Sequence, residues 1–316
     1  MRTTRFQRGH DLSLAFFCAW AMLVVLAPCA EAQTAAARPP VLGVAHIGYY
    51  VPSLSQAGSY YHDFLGFDVA FRGKDRDGAP MAYYKINDDQ YIVLHQSPPK
   101  NYGYIHDIAF RTNDIHALRS DLAARGLRVS SIDHDPAGNL CIRATDPFGF
   151  EVQFIQYLPD SSTGRGKGQF MPATRLATRI DHIGVMFQSR QKALNFYGGV
   201  LGFTPEGKGK VTKLTIGSGP DRFELGFGRR MVAERFHVKN HICLSVPDVP
   251  RTVAALDAEL LAAKFRTIEQ HVLGNGKHVA ELYGPFGNRI ELMEPPKAAG
   301  RNASSRSDQP RERESR

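Results

Sequence analysis

Gly284-Pro285-Phe286-Gly287-Asn288-Arg289-Ile290-Glu291-Leu292 is the stretch that decides the fold. Gly-Pro-x-Gly makes a tight turn. The residues after it alternate: Ile290 and Leu292 point to one side and Glu291 to the other, the period of a strand with one packed face. A matching turn, Asp146-Pro147-Phe148-Gly149, stands in the first half of the chain. Working outward, His241-Ile242-Cys243-Leu244 with Asp248 resembles Ile108-Ala109-Phe110 with Asp114. Asp181-His182-Ile183-Gly184 repeats Ala45-His46-Ile47-Gly48, and Tyr197 with Leu201-Gly202-Phe203 repeats Tyr61 with Leu65-Gly66-Phe67. Both of these last pairs are 136 positions apart. A constant offset over such a stretch marks an internal duplication.

The central chain therefore reads as four units of about 50 residues, two kinds alternating. Each unit starts with a short alternating strand, such as Ile180 to Phe187. An amphipathic helix follows, as in Val249 to Lys264 with Val253, Leu256, Leu260 and Leu261 on one side. A glycine turn ends the helix, and Gly126 and Gly202 suit the C′ position. Two or three strands close the unit. The fold class is α+β, built from four βαβββ modules. Residues 42–158 form the N-terminal pair, 159–176 a linker rich in glycine, serine and basic residues, and 177–296 the C-terminal pair.

The ends read differently. Arg5 and Arg8 precede the apolar run Leu12 to Leu26, and Ala30-Glu31-Ala32 is a small-x-small site before Gln33. Residues 1–32 are expected to be a cleaved signal peptide, which places the protein outside the cytoplasm, periplasmic or secreted, with no stable membrane insertion after cleavage. Residues 297–316 carry few apolar side chains and are expected to be disordered. The net charge of +8 sits partly in these tails, and no basic block is interleaved with aromatics, which argues against nucleic-acid binding. Of four cysteines, Cys18 and Cys29 belong to the leading segment. Cys141 and Cys243 sit in apolar strand patterns and read as buried free thiols.

Four βαβββ modules carrying these motifs resemble the vicinal oxygen chelate superfamily, which includes glyoxalase I, methylmalonyl-CoA epimerase, fosfomycin and bleomycin resistance proteins and extradiol dioxygenases. The resemblance covers about residues 42 to 296. It implies that modules pair into two cup-like half-barrel domains, and that one divalent metal (Fe, Zn, Mn, Ni or Co) sits inside a cup.

The strand period tests the metal slots independently. His182, Glu224, His241 and Glu291 each stand opposite the hydrophobic stripe of their own strand. Two imidazoles with one or two carboxylates suit a divalent metal. Glu224 reads either as a fourth ligand or as a catalytic base. The corresponding slots of the N-terminal half hold His46, Val93, Asp107 and Gln153, so that half reads as degenerate. A shifted second site using His46, His95 and Glu151 is the alternative, with His106 also nearby.

The resemblance implies chelation of a small substrate through adjacent oxygens, with the metal as Lewis acid. Lyase or isomerase chemistry, as in glyoxalase or epimerase relatives, needs a carboxylate base, for which Glu224 stands ready. Extradiol ring cleavage is the alternative, with His182, His241 and Glu291 as metal ligands. The histidine that it requires is missing near Asp221-Arg222; Tyr283, His271 and His278 are the candidates for its other roles. A metal-free binding or resistance protein is a third reading. Arg222, Arg289 and Lys277 read singly as solvated charges, or together as contacts for an anionic substrate. A monomer and a homodimer are both compatible with the modules.

Overall fold

The computed structural model describes residues 38–97, 105–207, 211–228, 239–256, 269–273 and 276–295. The expected signal peptide and disordered tail lie outside them. Among the described residues, no helix is long and apolar enough to cross a membrane.

The first sheet contains β1 (Val41–Val51), β2 (Val69–Lys74), β3 (Pro80–Lys85), β4 (Tyr91–Gln96), β5 (Ile105–Thr112), β6 (Asp133–His134), β7 (Leu140–Thr145) and β8 (Glu151–Gln156). The second contains β9 (Arg179–Phe187), β10 (Thr204–Glu206), β11 (Thr212–Thr215), β12 (Arg222–Phe227), β13 (His241–Ser245), β14 (Glu269–Val272), β15 (His278–Tyr283) and β16 (Arg289–Met293). Their orders are β2-β3-β4-β1-β5-β8-β7-β6 and β10-β11-β12-β9-β13-β16-β15-β14. The two orders are identical in pattern, so the duplication read from the sequence is a duplication of topology. Each sheet joins two βαβββ modules along an antiparallel seam, β1 with β5 and β9 with β13. The two half-barrels of an α+β fold follow directly from that pairing.

Each module's helix is capped as its sequence directs. Asp114 and Asp248 accept from the backbone N–H three residues on, at Ala117 and Arg251. Gly126 and Gly202 have φ of 81° and 79°, the left-handed C′ conformation that glycine adopts without strain. The last described helix covers the first part of the expected stretch. It runs Val249–Ala255, and Leu256 is already extended at ψ 138°; no glycine or proline stands there to explain the stop. The remainder of the expected helix lies outside the described residues.

The helix-side faces of both sheets share one apolar core, in which Ile47, Ile108, Ile183, Phe223, Ile242 and Ile290 are completely buried. The opposite faces carry separate small clusters, with Cys243, Val279 and Met293 in the second sheet. Cys141 and Cys243 are buried free thiols. The segment between the sheets is packed, unlike a loose tether. Ser161 and Thr163 are buried, and Thr163 Oγ1 donates to Asn139 Oδ1 at 2.9 Å. The buried Lys85 ammonium donates to the Gly166 carbonyl.

Candidate metal centre

The four central strands of the second sheet bring together four donors that are distant in the chain. His182 leaves β9, Glu224 β12, His241 β13 and Glu291 β16, all from the face opposite the core. The register sets them side by side: Glu224 lies across from Gly184, His241 also across from Gly184, and Glu291 across from Cys243. Gly184 is required there. A Cβ at this position would lie 2.1 Å from His241 Cε1.

The distances are those of a shared centre. His182 Nε2 is 3.2 Å from His241 Nε2, 3.6 Å from Glu224 Oε2 and 4.0 Å from Glu291 Oε1. His241 Nε2 is 3.8 Å from Glu291 Oε2. Ligand atoms around one ion with bonds of ~2.1 Å stand roughly 3.0–3.4 Å apart, so a small closure completes the set.

What lies behind each imidazole fixes which nitrogen faces the centre. His182 Nδ1 is 3.1 Å from Asp181 Oδ2, and His241 Nδ1 is 3.0 Å from the Lys239 carbonyl oxygen. Each Nδ1–H donates backwards, so each Nε2 turns a lone pair to the cup. Burial pushes His241 down to about 4, so this ring is neutral near pH 7. Burial works to raise Asp181, but the His182 ring and the Arg179 guanidinium outweigh it and hold this acid below its ordinary range. The two Nε2 atoms converge to 3.2 Å on the face that also carries both carboxylates. The donor set therefore fits a divalent metal.

Glu224 is held as an anion. Burial tends to raise Glu224, yet His182, Lys213 and His241 bring it below the ordinary value. Lys213 Nζ lies 3.2 Å from Glu224 Oε2. Arg289 Nη2 lies 3.2 Å from Glu291 Oε2 and 2.5 Å from Glu281 Oε1. Cys243 is close enough to join Asp181 and His182 geometrically, but burial drives its thiol well above the ordinary range, which leaves it a protonated, poor ligand.

The other sequence candidates are placed as follows. Tyr283 shares the cup side with Glu281, and its hydroxyl donates to Glu281 Oε2 at 3.0 Å. A chain Tyr283–Glu281–Arg289–Glu291 thus ends at the centre. Burial first, then Glu281, pushes the Tyr283 phenol up to about 12. His271 pairs with Val279 on the cup side but is exposed on β14, two strands from Glu291 and so about 10 Å away. His278 alternates onto the face of Ala280 and Leu282, which is the core side, and the pleat turns it away from the centre. Arg289 is not a solvated charge, being 14% exposed and engaged with two glutamates. Arg222 pairs with Glu206 at 2.9 Å, and Lys277 Nζ reaches the Glu294 carbonyl at 3.5 Å. Asp181 and Lys213 escaped the sequence reading. Asp181 was visible as the one polar change in a repeated motif, since Ala45 stands in its place. Lys213 carries no local signal, because its importance comes from β11 pairing with Glu224.

The model of the Glyoxalase/Bleomycin resistance protein/Dioxygenase superfamily matches residues 43–154 and again 179–292. The chain belongs to this superfamily. Among solved structures, it is similar to the Mn(II)-bound glyoxalase from Novosphingobium aromaticivorans, with a TM-score of 0.61 and 19% identity over 81% of this chain and 83% of that one. It is also similar to the 2,3-dioxygenase LapB from Pseudomonas sp. KL28, with a TM-score of 0.62 and 18% identity over 82% of this chain and 94% of that one. These likenesses establish the shared fold. A Xenopus tropicalis 4-hydroxyphenylpyruvate dioxygenase is 26% identical over 153 residues, 43% of this chain. The match spans 38% of that relative's length.

Proposed function

We propose that this superfamily member is a divalent-metal enzyme that chelates a small substrate through two adjacent oxygens and moves a proton on it, in lyase or isomerase chemistry. The observation that carries the reading is the pair of Nε2 atoms 3.2 Å apart with carboxylates at 3.6–4.0 Å. His182, His241 and Glu291 would hold the ion, with Glu224 as fourth ligand or base. When bound, the metal supplies Lewis-acid polarisation of the substrate's paired oxygens.

The protein's own residues supply the rest. The Glu224 carboxylate takes a proton from the carbon beside the polarised carbonyl and returns it to a neighbouring carbon. Lys213 keeps Glu224 ionised before the first transfer, ready to accept the proton. Asp181 and the Lys239 carbonyl hold both imidazoles in the ligating tautomer. The position where a ring-cleaving relative would need a histidine holds Asp221 and Arg222. Asp221 Oδ2 accepts from the Val44 N–H at 2.8 Å and from Gln90 at 3.1 Å, so it is a buried structural acid. Ring cleavage remains the second reading, favoured by the Tyr283–Glu281–Arg289 chain beside Glu291.

Elemental analysis of the purified chain beside His241→Ala tests the centre: about one ion should be lost. Deuterium uptake from D2O at the carbon next to a carbonyl, across a panel of α-hydroxycarbonyl compounds, tests the chemistry. Oxygen consumption with catechols, and no such exchange, would move the assignment to ring cleavage.

A further inference from the structure

We propose, on the reading of His182 as a metal ligand, that Gln90 of the N-terminal half is a positioning residue for this ring, acting through Asp221, Arg179 and Asp181. Gln90 and Asp221 hold matching places in the duplicated fold. Each stands one residue before the strand that pairs in parallel with the first strand of its half, since Tyr91 lies across from His46 and Arg222 across from His182.

Each of the two reaches into the other half. Asp221 Oδ2 accepts from the Val44 N–H at 2.8 Å, and Gln90 Oε1 accepts from the Ile180 N–H at 2.8 Å. Val44 and Ile180 are themselves 136 positions apart, the offset of the repeat. The side chains then meet, with Gln90 Nε2 donating to Asp221 Oδ2 at 3.1 Å. Two carboxylates would repel at this junction, whereas an amide and a carboxylate bond. Both residues are buried. Gly43 admits the carboxylate, since a Cβ there would run into Asp221 Oδ2.

From Asp221 the contacts continue to the metal slot. Asp221 Oδ1 faces Arg179 Nη1 at 3.7 Å. Arg179 Nη2 donates to Asp181 Oδ1 at 2.6 Å, and Asp181 Oδ2 accepts from His182 Nδ1 at 3.1 Å. Each carboxylate thus uses one oxygen backwards and the other forwards. The carbonyls of Ile180 and Pro220 also accept from Arg179, at 3.3 and 3.4 Å, which restricts its planar fork to this setting. Burial raises the Asp221 carboxyl, and the Val44 N–H and the Arg179 guanidinium oppose that rise.

The charged extension stands behind His182 and not behind His46. In the N-terminal half Gly43 occupies the place of Arg179, and Ala45 that of Asp181. His46, the counterpart of His182, instead sets Nε2 2.7 Å from Asp107 Oδ2. The reciprocal clamp is common to both halves, while Arg179 and Asp181 belong to the half with the filled slots. Packing sheet against sheet needs the clamp alone. The extension orients a ring whose lone-pair direction matters.

The test is zinc affinity by chelator competition on the full chain, beside the His182 tautomer read from ring-nitrogen NMR shifts of the metal-free protein. Gln90→Glu keeps the acceptor for Ile180 but sets a second acid against Asp221. Arg179→Met changes a side chain that is 24% exposed and spares the core. Each should lower affinity roughly three- to tenfold and raise the share of the Nε2–H tautomer. Arg179→Lys should restore part of the loss. In an Asp181→Asn background neither change should cost anything more, because the relay is already cut. Losses that add to that of Asp181→Asn overturn the inference, as do variants that lower only the unfolding free energy. Gln90 is then an interface clamp and nothing else. A parent that binds zinc no better than His241→Ala overturns the metal centre instead, and the tautomer shift in Gln90→Glu then decides whether Gln90 sets the ring.

Discussion

The Tyr197 hydroxyl donates to Asp146 Oδ2 at 2.8 Å, and both residues are buried. The bond joins the helix of the third module to the turn that closes the second. Burial pushes the Tyr197 phenol well above its ordinary range, so it remains a donor. Both residues belong to motifs visible as repeats, Tyr-with-Leu-Gly-Phe and Asp-Pro-Phe-Gly. In the pseudo-equivalent place, Gly284 leaves room for Tyr60, whose Cε1 lies 3.3 Å from where a Cβ would stand.

Tyr197→Phe keeps the ring and removes the donor to a buried carboxyl. It should lower unfolding free energy by about 1–3 kcal/mol, measured by denaturant titration, without changing the metal content. A loss of metal together with stability would mean that this contact also shapes the cups.

Burial raises the Asp146 carboxyl, against opposing backbone hydrogen bonds from Phe150, Phe148 and Gly149 and the bond from Tyr197. The folded state therefore binds the proton more tightly than the unfolded chain does. The stabilisation is complete below the unfolded value of about 3.9 and fades as pH rises through the folded value. Asp146→Asn should flatten this part of the stability-against-pH curve. An unchanged slope between pH 4 and 6 would refute the assignment.

Gly184→Ala places a methyl against the His241 ring, 2.1 Å from Cε1. The backbone there is ordinary for a strand, so the sheet tolerates the change and the imidazole has to move. The variant should fold with unchanged circular dichroism and lose the ion attributed to the C-terminal cup, read by elemental analysis.

Asp181→Asn leaves His182 without its anionic acceptor. Zinc affinity at that cup should fall about 10- to 100-fold in a chelator competition, because the ring loses both orientation and basicity. Equal affinities would show that the sheet alone orients His182.

Lys213→Met removes a cation that holds Glu224 ionised. With Glu224 as base, its carboxyl rises, and the acidic limb of the kcat/KM profile should move to higher pH while the ion count is unchanged. A profile that stays in place would leave Glu224 as a ligand only.

The sequence by itself determined the four modules, their order and the face on which each candidate donor stands. Those properties are local: the pleat alternates every residue, and repeated motifs need no partner to be seen. Thus alternation alone put His182, Glu224, His241 and Glu291 on the face opposite the hydrophobic stripe, while the resemblance marked them as metal slots. Tertiary structure decided how donors meet and what stands behind them. Strand pairing put Lys213 beside Glu224 and Glu281 across from Glu291. It also set the turn carrying Asp75 against His95, and spent His46 on Asp107. A distance across a sheet depends on register and on the turns between strands, and no spacing along one strand encodes it.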